Sequence, residues 1–150
     1  MFKKVKLVIR DQLMMGVTPE KLAQSLVGGI LIGMFPLLGA CTLLAALAAF
    51  TFKLNHVAIQ MANYLMYPVQ IIMIPIYVKI VSLVFDVGDV PIRPDLILKQ
   101  FGAGPLQFIK QYSLIGLYAI VLWCFLSAAL YFILYPMILK VIIKIKKRKQ

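Results

Sequence analysis

The sequence predicts an all-α integral membrane fold, and composition, charge placement and the spacing of proline and glycine each contribute to that prediction. The chain has 150 residues, of which 63% are hydrophobic and 14% are charged, whereas an average soluble domain is about 45–50% apolar and about 25% charged. Small domains leave a large share of the chain exposed, so a soluble core of this length could not cover so much apolar surface. The composition excludes a soluble enzyme, a disordered tail and a disulfide-stapled secreted module. It favours a single membrane domain over residues 1–150.

The positive charge is concentrated at the two ends of the chain. The formal net charge is +11, to which residues 1–21 contribute +3 and residues 140–150 contribute +6. Basic clusters that flank apolar segments mark the cytoplasmic side of a membrane and attract anionic headgroups. This placement predicts two cytoplasmic termini. It argues against a nucleic-acid partner, because no basic face is interleaved with stacking aromatic residues.

Residues 1–16 are predicted to form an amphipathic helix in the cytoplasmic interface. Apolar side chains recur there at steps of three and four, and basic side chains gather on another face. The segment is too polar to span a membrane, and Gly16 ends it. The apolar positions are Phe2, Val5, Ile9 and Leu13.

Residues 19–53 are predicted to form a broken helical hairpin. Thr18 is a candidate N-cap, followed by Pro19 at the first helical position. Residues 22–52 carry no charge. One helix of this length would measure about 46 Å, which exceeds a hydrocarbon core of about 30 Å. A cluster of Gly33, Pro36 and Gly39 interrupts the run, which predicts two helices over residues 19–34 and 40–53.

The rest of the chain is predicted to cross the membrane twice. Residues 57–85 form a polar membrane segment containing Pro68 and Pro75, and residues 86–113 form a loop. Residues 114–139 form a cleaner transmembrane helix, which Pro136 bends before the basic tail of residues 140–150. With Lys53 inside, the hairpin returns to the cytoplasmic side. The positions of the charges alone do not decide whether residues 19–53 and 57–85 re-enter the same side or cross the membrane fully.

The residues needed for catalysis are largely missing. No Asp or Glu occurs from residue 21 to residue 85, and the single histidine, His56, lies in a turn beside Asn55. No metal-ligand or phosphate-loop spacing occurs, and Cys41 and Cys124 are interpreted as small buried hydrophobic residues. We therefore expect no enzyme activity, no catalytic or metal-binding residue and no cofactor.

Three features are candidates for ligand binding, each with a structural alternative. The broken segment around Pro36 either aims helix ends at a ligand or only turns the hairpin. Four polar residues at steps of three and four predict one polar helix face, which either receives a headgroup or holds the bundle together. Lys79 either snorkels to the outer interface or pairs with an anion. The four polar residues are Gln60, Asn63, Tyr67 and Gln70.

Over roughly residues 10–85 the chain shows a specific spacing of Gly, Pro and Asn. The spaced elements are Pro19-x3-Ala23-x5-Gly29-x3-Gly33-x2-Pro36-x2-Gly39-x2-Thr42, then Lys53-Leu54-Asn55, then Asn63-x4-Pro68-x-Gln70. This spacing resembles the bacterial membrane family called domain of unknown function 2062. One departure is Tyr67, where many members place Asn before the proline. The resemblance implies a bacterial inner-membrane protein of no established activity, and some members look like fusions to glycosyltransferase domains.

These observations lead to one main functional hypothesis and two alternatives. The protein is expected to bind or translocate an anionic lipid or a lipid-linked glycan in envelope biogenesis. Alternatively, it is an assembly module that partners a membrane glycosyltransferase, or a small anion channel built as a homo-oligomer, specifically a dimer. The predicted ligand-binding residues are Gly33, Pro36, Gly39, Thr42, Asn55, Gln60, Asn63, Tyr67, Gln70 and Lys79.

Overall fold

A computed structural model describes residues 16–85 and 104–147, and five helices make up most of these ranges. No strand occurs within them, so the predicted all-α fold class is confirmed for the described part of the chain. The predicted interfacial helix falls outside the described residues, apart from Gly16. The helices are α1 (Pro19–Gly33), α2 (Ala40–Thr51), α3 (His56–Leu65), α4 (Tyr67–Phe85) and α5 (Pro105–Lys147).

Helix α1 begins where the sequence predicts it. The side chain of Thr18 accepts a hydrogen bond of 3.3 Å from the backbone N–H of Lys21, and Pro19 occupies the first turn. The helix ends at Gly33, and α2 begins after Gly39, whose φ of +86° is a left-handed conformation that favours glycine. The chain therefore breaks between these two glycines.

Two long-range hydrogen bonds set the directions of the first three helices. The Lys21 ammonium donates to the Phe52 carbonyl at 3.0 Å, which joins the start of α1 to the end of α2. The backbone N–H of Asn55 donates to Ser25 Oγ at 2.7 Å, which brings the start of α3 to the same place. The chain thus rises in α1, returns in α2 and rises again in α3.

The segment over residues 57–85, predicted as one unit, is divided into α3 and α4. The division falls at Met66, two residues before Pro68. A proline ring clashes with the carbonyl four residues earlier and is tolerated in the first turn of a helix, so Pro68 begins a new helix rather than continuing α3. Pro75, by contrast, lies inside α4.

Helix α5 is longer than predicted at both ends. It begins at Pro105, so residues 105–113 are helical rather than part of a loop, and it continues through Pro136 to Lys147. The predicted end before a basic tail is therefore wrong. Ile142 is fully buried against α1 and α3, and this packing holds the last turns of the helix despite the proline.

Helix α5 carries two apolar clusters along its length of about 64 Å. The cluster near its C-terminal end joins it to α1 and α3 through Ile142, Leu22 and Ala58. The other joins its N-terminal half to α4, where Tyr77 packs near Ile115. Helices α1 and α3 therefore cover one half of α5, and α4 covers the other.

One end of the molecule is strongly basic, and we call it the basic end. It contains the start of α1, the end of α2, the start of α3 and the end of α5. Glu20 is the single acidic residue within residues 16–85 and 104–147. The exposed lysines at the basic end are Lys21, Lys53, Lys140, Lys144, Lys146 and Lys147.

Two helices are long and apolar enough to cross a membrane. They are Tyr67–Phe85, with a mean hydropathy of 2.0, and Tyr112–Lys147, with 2.3. Only 17% and 6% of the residues in the most apolar stretch of each helix are buried. The core helix of a soluble protein, by contrast, is mostly buried. Large apolar side chains such as Phe125 and Phe132 are 73% and 78% exposed. Such a surface indicates a membrane protein, because soluble monomers rarely expose large apolar patches.

Candidate functional site

Gln70 is the one predicted polar residue that reaches the broken segment with its side chain. It is 2% exposed, and its amide nitrogen donates to the Phe35 carbonyl at 2.9 Å and to the Leu37 carbonyl at 3.4 Å. The same nitrogen lies 3.0 Å from Cys41 Sγ. A helix that ends leaves carbonyl groups without intrahelical partners, and Gln70 supplies partners for two carbonyls of the break.

The other predicted polar residues do not share one face with Gln70. Gln60 donates from its amide nitrogen to the Thr42 carbonyl at 3.0 Å and so ties α3 to α2. Asn63 is buried against α1, whereas Tyr67 is 55% exposed. The prediction of a single polar face is wrong, because the chain changes helix at Met66.

Asn55 and Lys79 lie at different ends of the molecule. The Asn55 side-chain oxygen accepts a hydrogen bond of 2.8 Å from the Ala58 N–H and caps α3 at the basic end. Lys79 is exposed on α4, nine residues beyond Gln70, and is not brought to the amides. Pro36 and Gly39 form the turn between α1 and α2. Most predicted site residues thus make internal contacts, and ligand binding by them stays a prediction.

An open groove lies beside these residues, between α1, α2 and the middle of α5. Its volume is about 490 Å³, which falls in the range of small-molecule sites. We call it the lateral groove. Lys21, Gln24 and Gly28 line it from α1, and Phe52 lines it at the end of α2.

The α1 wall of the lateral groove changes from polar to apolar along the helix. Lys21, Gln24, Gly28 and Leu31 follow one another at steps of three and four, so they share one face of α1. Lys21 is at the basic end, and Leu31 lies about 15 Å further along the helix axis. The wall therefore offers a charged group at one end and apolar surface at the other.

The α5 wall is a stripe of residues spaced by four. Trp123, Ser127 and Tyr131 line the groove and lie on one face of α5. Because α5 runs antiparallel to α1, Tyr131 is nearer the basic end than Trp123. The hydroxyl-bearing residues of α5 thus lie towards the same end of the groove as Lys21.

Trp123 fixes the apolar end of the lateral groove. Its indole N–H donates to the Leu31 carbonyl at 2.9 Å, and its ring meets that of Phe35 edge-on at 4.9 Å. The hydrogen bond joins α5 to the last turn of α1, at a carbonyl that also accepts from the Met34 backbone N–H at 3.2 Å. Tyr131 is held by stacking on Tyr135, with ring centroids 5.6 Å apart. Both aromatic residues of the wall are therefore positioned by neighbours.

The electrostatics of the lateral groove favour anions at its basic end. The Lys21 ammonium has three donors, and one of them is used by the Phe52 carbonyl. Within residues 16–85 and 104–147, the surrounding end of the molecule carries several further exposed lysines and one carboxylate, Glu20. An acidic group that enters here meets a positive field and a lysine beside an apolar channel.

Sequence reasoning missed the residues that line the lateral groove. The sequence indicates Lys21 only as part of the N-terminal positive charge, and no sequence pattern singles out Gln24. The stripe of Trp123, Ser127 and Tyr131 on one apolar helix was the available signal. No sequence pattern indicates, however, that this stripe packs against α1, which lies about 100 residues earlier in the chain.

Comparison with known proteins gives one match. A family model described as "Uncharacterized protein conserved in bacteria (DUF2062)" matches residues 3–150. The match includes α5 and the basic C-terminal residues. The Gly, Pro and Asn spacing that resembles the family covers only roughly residues 10–85. No curated protein and no solved structure matches the chain.

Proposed function

The chain belongs to the bacterial family DUF2062, and from that premise we propose that it binds an anionic lipid or lipid-linked glycan in the lateral groove. The observation that carries the proposal is the combination of a lysine and apolar walls in one groove of about 490 Å³. Both ligand classes share one chemistry, a phosphate headgroup of net negative charge attached to an apolar tail.

The headgroup end of the ligand lies at Lys21. Binding replaces the Phe52 carbonyl, now 3.0 Å from the ammonium, with a phosphate oxygen. A hydrogen bond between an ammonium and an anion is stronger than one to a neutral carbonyl, so the exchange favours the ligand. Gln24 and Ser127, which also line the groove, add neutral donors beside the phosphate.

The tail end of the ligand lies along Gly28, Leu31 and Trp123. Gly28 adds no side chain to the floor of the groove, and the indole of Trp123 uses its one N–H on the Leu31 carbonyl. Apolar surface therefore dominates this end. An ionic solute without a tail gains nothing from it, which favours an amphipathic ligand over a free anion.

The proposed setting is the bacterial inner membrane, with the basic end in the cytoplasm. Helix α1 has 15 residues and measures about 22 Å, less than the hydrocarbon core of about 30 Å. The α1–α2 pair thus enters and returns, whereas α3 followed by α4, and α5, cross the whole membrane. The lateral groove then opens towards the cytoplasmic leaflet, and both chain termini are cytoplasmic.

Native mass spectrometry of the purified protein tests the proposal. The probes are phosphatidylglycerol and a polyprenyl phosphate, with phosphatidylcholine as the neutral control. Lys21→Gln is expected to weaken binding of both anionic probes about fivefold, the factor equivalent to about 1 kcal/mol for one basic residue at a membrane surface. Phosphatidylcholine binding is expected not to change.

A matched pair of tryptophan variants tests the position of the site. Ser127→Trp places an indole inside the lateral groove and is expected to remove the lipid bound there. Cys124→Trp is the control, because Cys124 is exposed on the same helix and does not line the groove. Binding of both probes that is unchanged by Lys21→Gln and by Ser127→Trp would refute the lateral groove as the site.

A further inference from the structure

A second groove lies on the opposite face of α1 from the lateral groove, between α1, α3 and the C-terminal half of α5. Its volume is about 620 Å³. Leu26 and Ile30 line it from α1, and three methionines, Met61, Met66 and Met137, are among the residues that line its other walls. We call it the methionine groove. It shares no lining residue with the lateral groove.

The methionine groove has one charged lining residue, Lys140. Lys140 is exposed and lies half a turn before Ile142, which is buried in the cluster at the basic end. All the other lining residues are apolar. The methionine groove is therefore apolar like a membrane interior, and it has one cation, Lys140, beside the apolar surface.

The walls of the methionine groove suit an acyl chain, because every lining residue except Lys140 is apolar. Methionine side chains are unbranched and adapt to irregular partners, which suits a flexible hydrocarbon chain. The position of Lys140 adds charge complementarity to a headgroup phosphate at the same end.

We propose that the methionine groove is a second lipid site, which holds an acyl chain of an anionic phospholipid while Lys140 pairs with its phosphate. Basic pockets between transmembrane helices on the cytoplasmic side are known to select anionic headgroups. The lipid contacts α1, α3 and α5 together, so it bridges the helices that form the basic end. This site is separate from the lateral groove and goes beyond the proposed function.

Native mass spectrometry of protein released from nanodiscs tests this site. The nanodiscs contain equal parts of phosphatidylglycerol and phosphatidylcholine. Lys140→Gln is expected to lower retention of phosphatidylglycerol about fivefold. Its control is Lys146→Gln, which removes the same charge from the same end outside the groove.

Filling the methionine groove provides an independent variant. Met137 is 59% exposed, so Met137→Trp can fill the channel without disturbing a buried core. It is expected to reduce retention as Lys140→Gln does. Ile133→Trp is the control, because Ile133 is exposed on the same helix outside the groove.

The outcomes separate this proposal from the lateral groove. Lys21→Gln is expected to leave the Lys140-dependent lipid in place, and the double variant is expected to lower retention of both lipids. Wild-type retention by Lys140→Gln and Met137→Trp would overturn the second site, whatever Lys21→Gln does. Equal losses in Lys140→Gln and Lys146→Gln would also overturn it, since they would indicate diffuse charge rather than a site.

Discussion

Gln70 shows how a single side chain can support a break between two helices. Non-helical backbone at membrane depth persists only where its polar groups find partners. The Gln70 amide provides partners for the Phe35 and Leu37 carbonyls from 35 and 33 residues away. The residue predicted as part of a ligand site is therefore used to close the hairpin turn.

Replacing Gln70 with Leu is expected to destabilise the protein by about 1–3 kcal/mol, because the buried Phe35 carbonyl loses the donor at 2.9 Å. Thermal unfolding in detergent measures the loss. Gln60→Leu is the matched control: it removes one bond to the Thr42 carbonyl. It also removes a buried oxygen that has no partner among the described residues, so its net effect is expected to be close to zero. Equal destabilisation by the two substitutions would contradict this account of Gln70.

Residue-scale features were predictable where their cause is local. The Thr18 cap and the turn at Gly39 follow from side-chain chemistry within four residues. The partners of Gln70 and the position of Lys21 beside Phe52 were not predictable, because each contact joins residues about 30 or more positions apart. Counting charges assigned Lys21 to a basic cluster but could not show the groove next to it.

At the scale of helices, the closest packing is between α1 and α3. A Cβ on Gly29 would lie 2.6 Å from the Cβ of Ala62, and one on Gly33 would lie 2.6 Å from the Cβ of Met66. Real Cβ atoms do not approach so closely. The two glycines are spaced by four, the small-residue pattern that lets membrane helices approach each other, so they set the distance between α1 and α3.

Gly29→Ala and Gly33→Ala are each expected to destabilise the protein by about 1–3 kcal/mol, the usual cost of overpacking. Gly116 on α5 is the matched control, since a Cβ there meets nothing within 4 Å. Gly116→Ala is expected to stabilise by about 0.5–1 kcal/mol through helix propensity. Unfolding in detergent compares the three variants, and equal stability of Gly29→Ala and Gly116→Ala would refute the close packing.

Helix boundaries were predictable only where local signals and packing agree. Pro68 and Pro136 each follow an aromatic residue in an apolar run, yet α4 begins beside the first and α5 continues through the second. The difference lies in tertiary contacts. Ile142 beyond Pro136 is buried on α1 and α3, and a local pattern does not reveal that burial.

At the scale of the whole molecule, the basic end and α4 define two sides. The ends of four helices meet at the basic end, and α4 carries the chain away from it along the N-terminal half of α5. Lys79 on α4 is exposed at the far side. In a membrane this arrangement separates Lys79 from Lys53 and Lys146.

Single cysteines test this sidedness in a chain whose Cys41 and Cys124 are replaced by Ala. A membrane-impermeant maleimide is expected to label Lys79→Cys in intact spheroplasts. Lys53→Cys and Lys146→Cys are expected to react only after permeabilisation, because the proposed topology places the basic end in the cytoplasm. Labelling of all three from the same side would contradict the proposed topology.

Lipid binding in the lateral groove is tested most directly by photo-crosslinking in living bacteria from position 127. A benzophenone amino acid at Ser127 points into the groove, and the same amino acid at the exposed Cys124 controls for lipid that merely surrounds the protein. Mass spectrometry is expected to find a phosphate-bearing lipid attached at position 127 and not at position 124. Identical lipid adducts at both positions, or adducts of position 127 with a protein such as a glycosyltransferase and no lipid, would contradict the account.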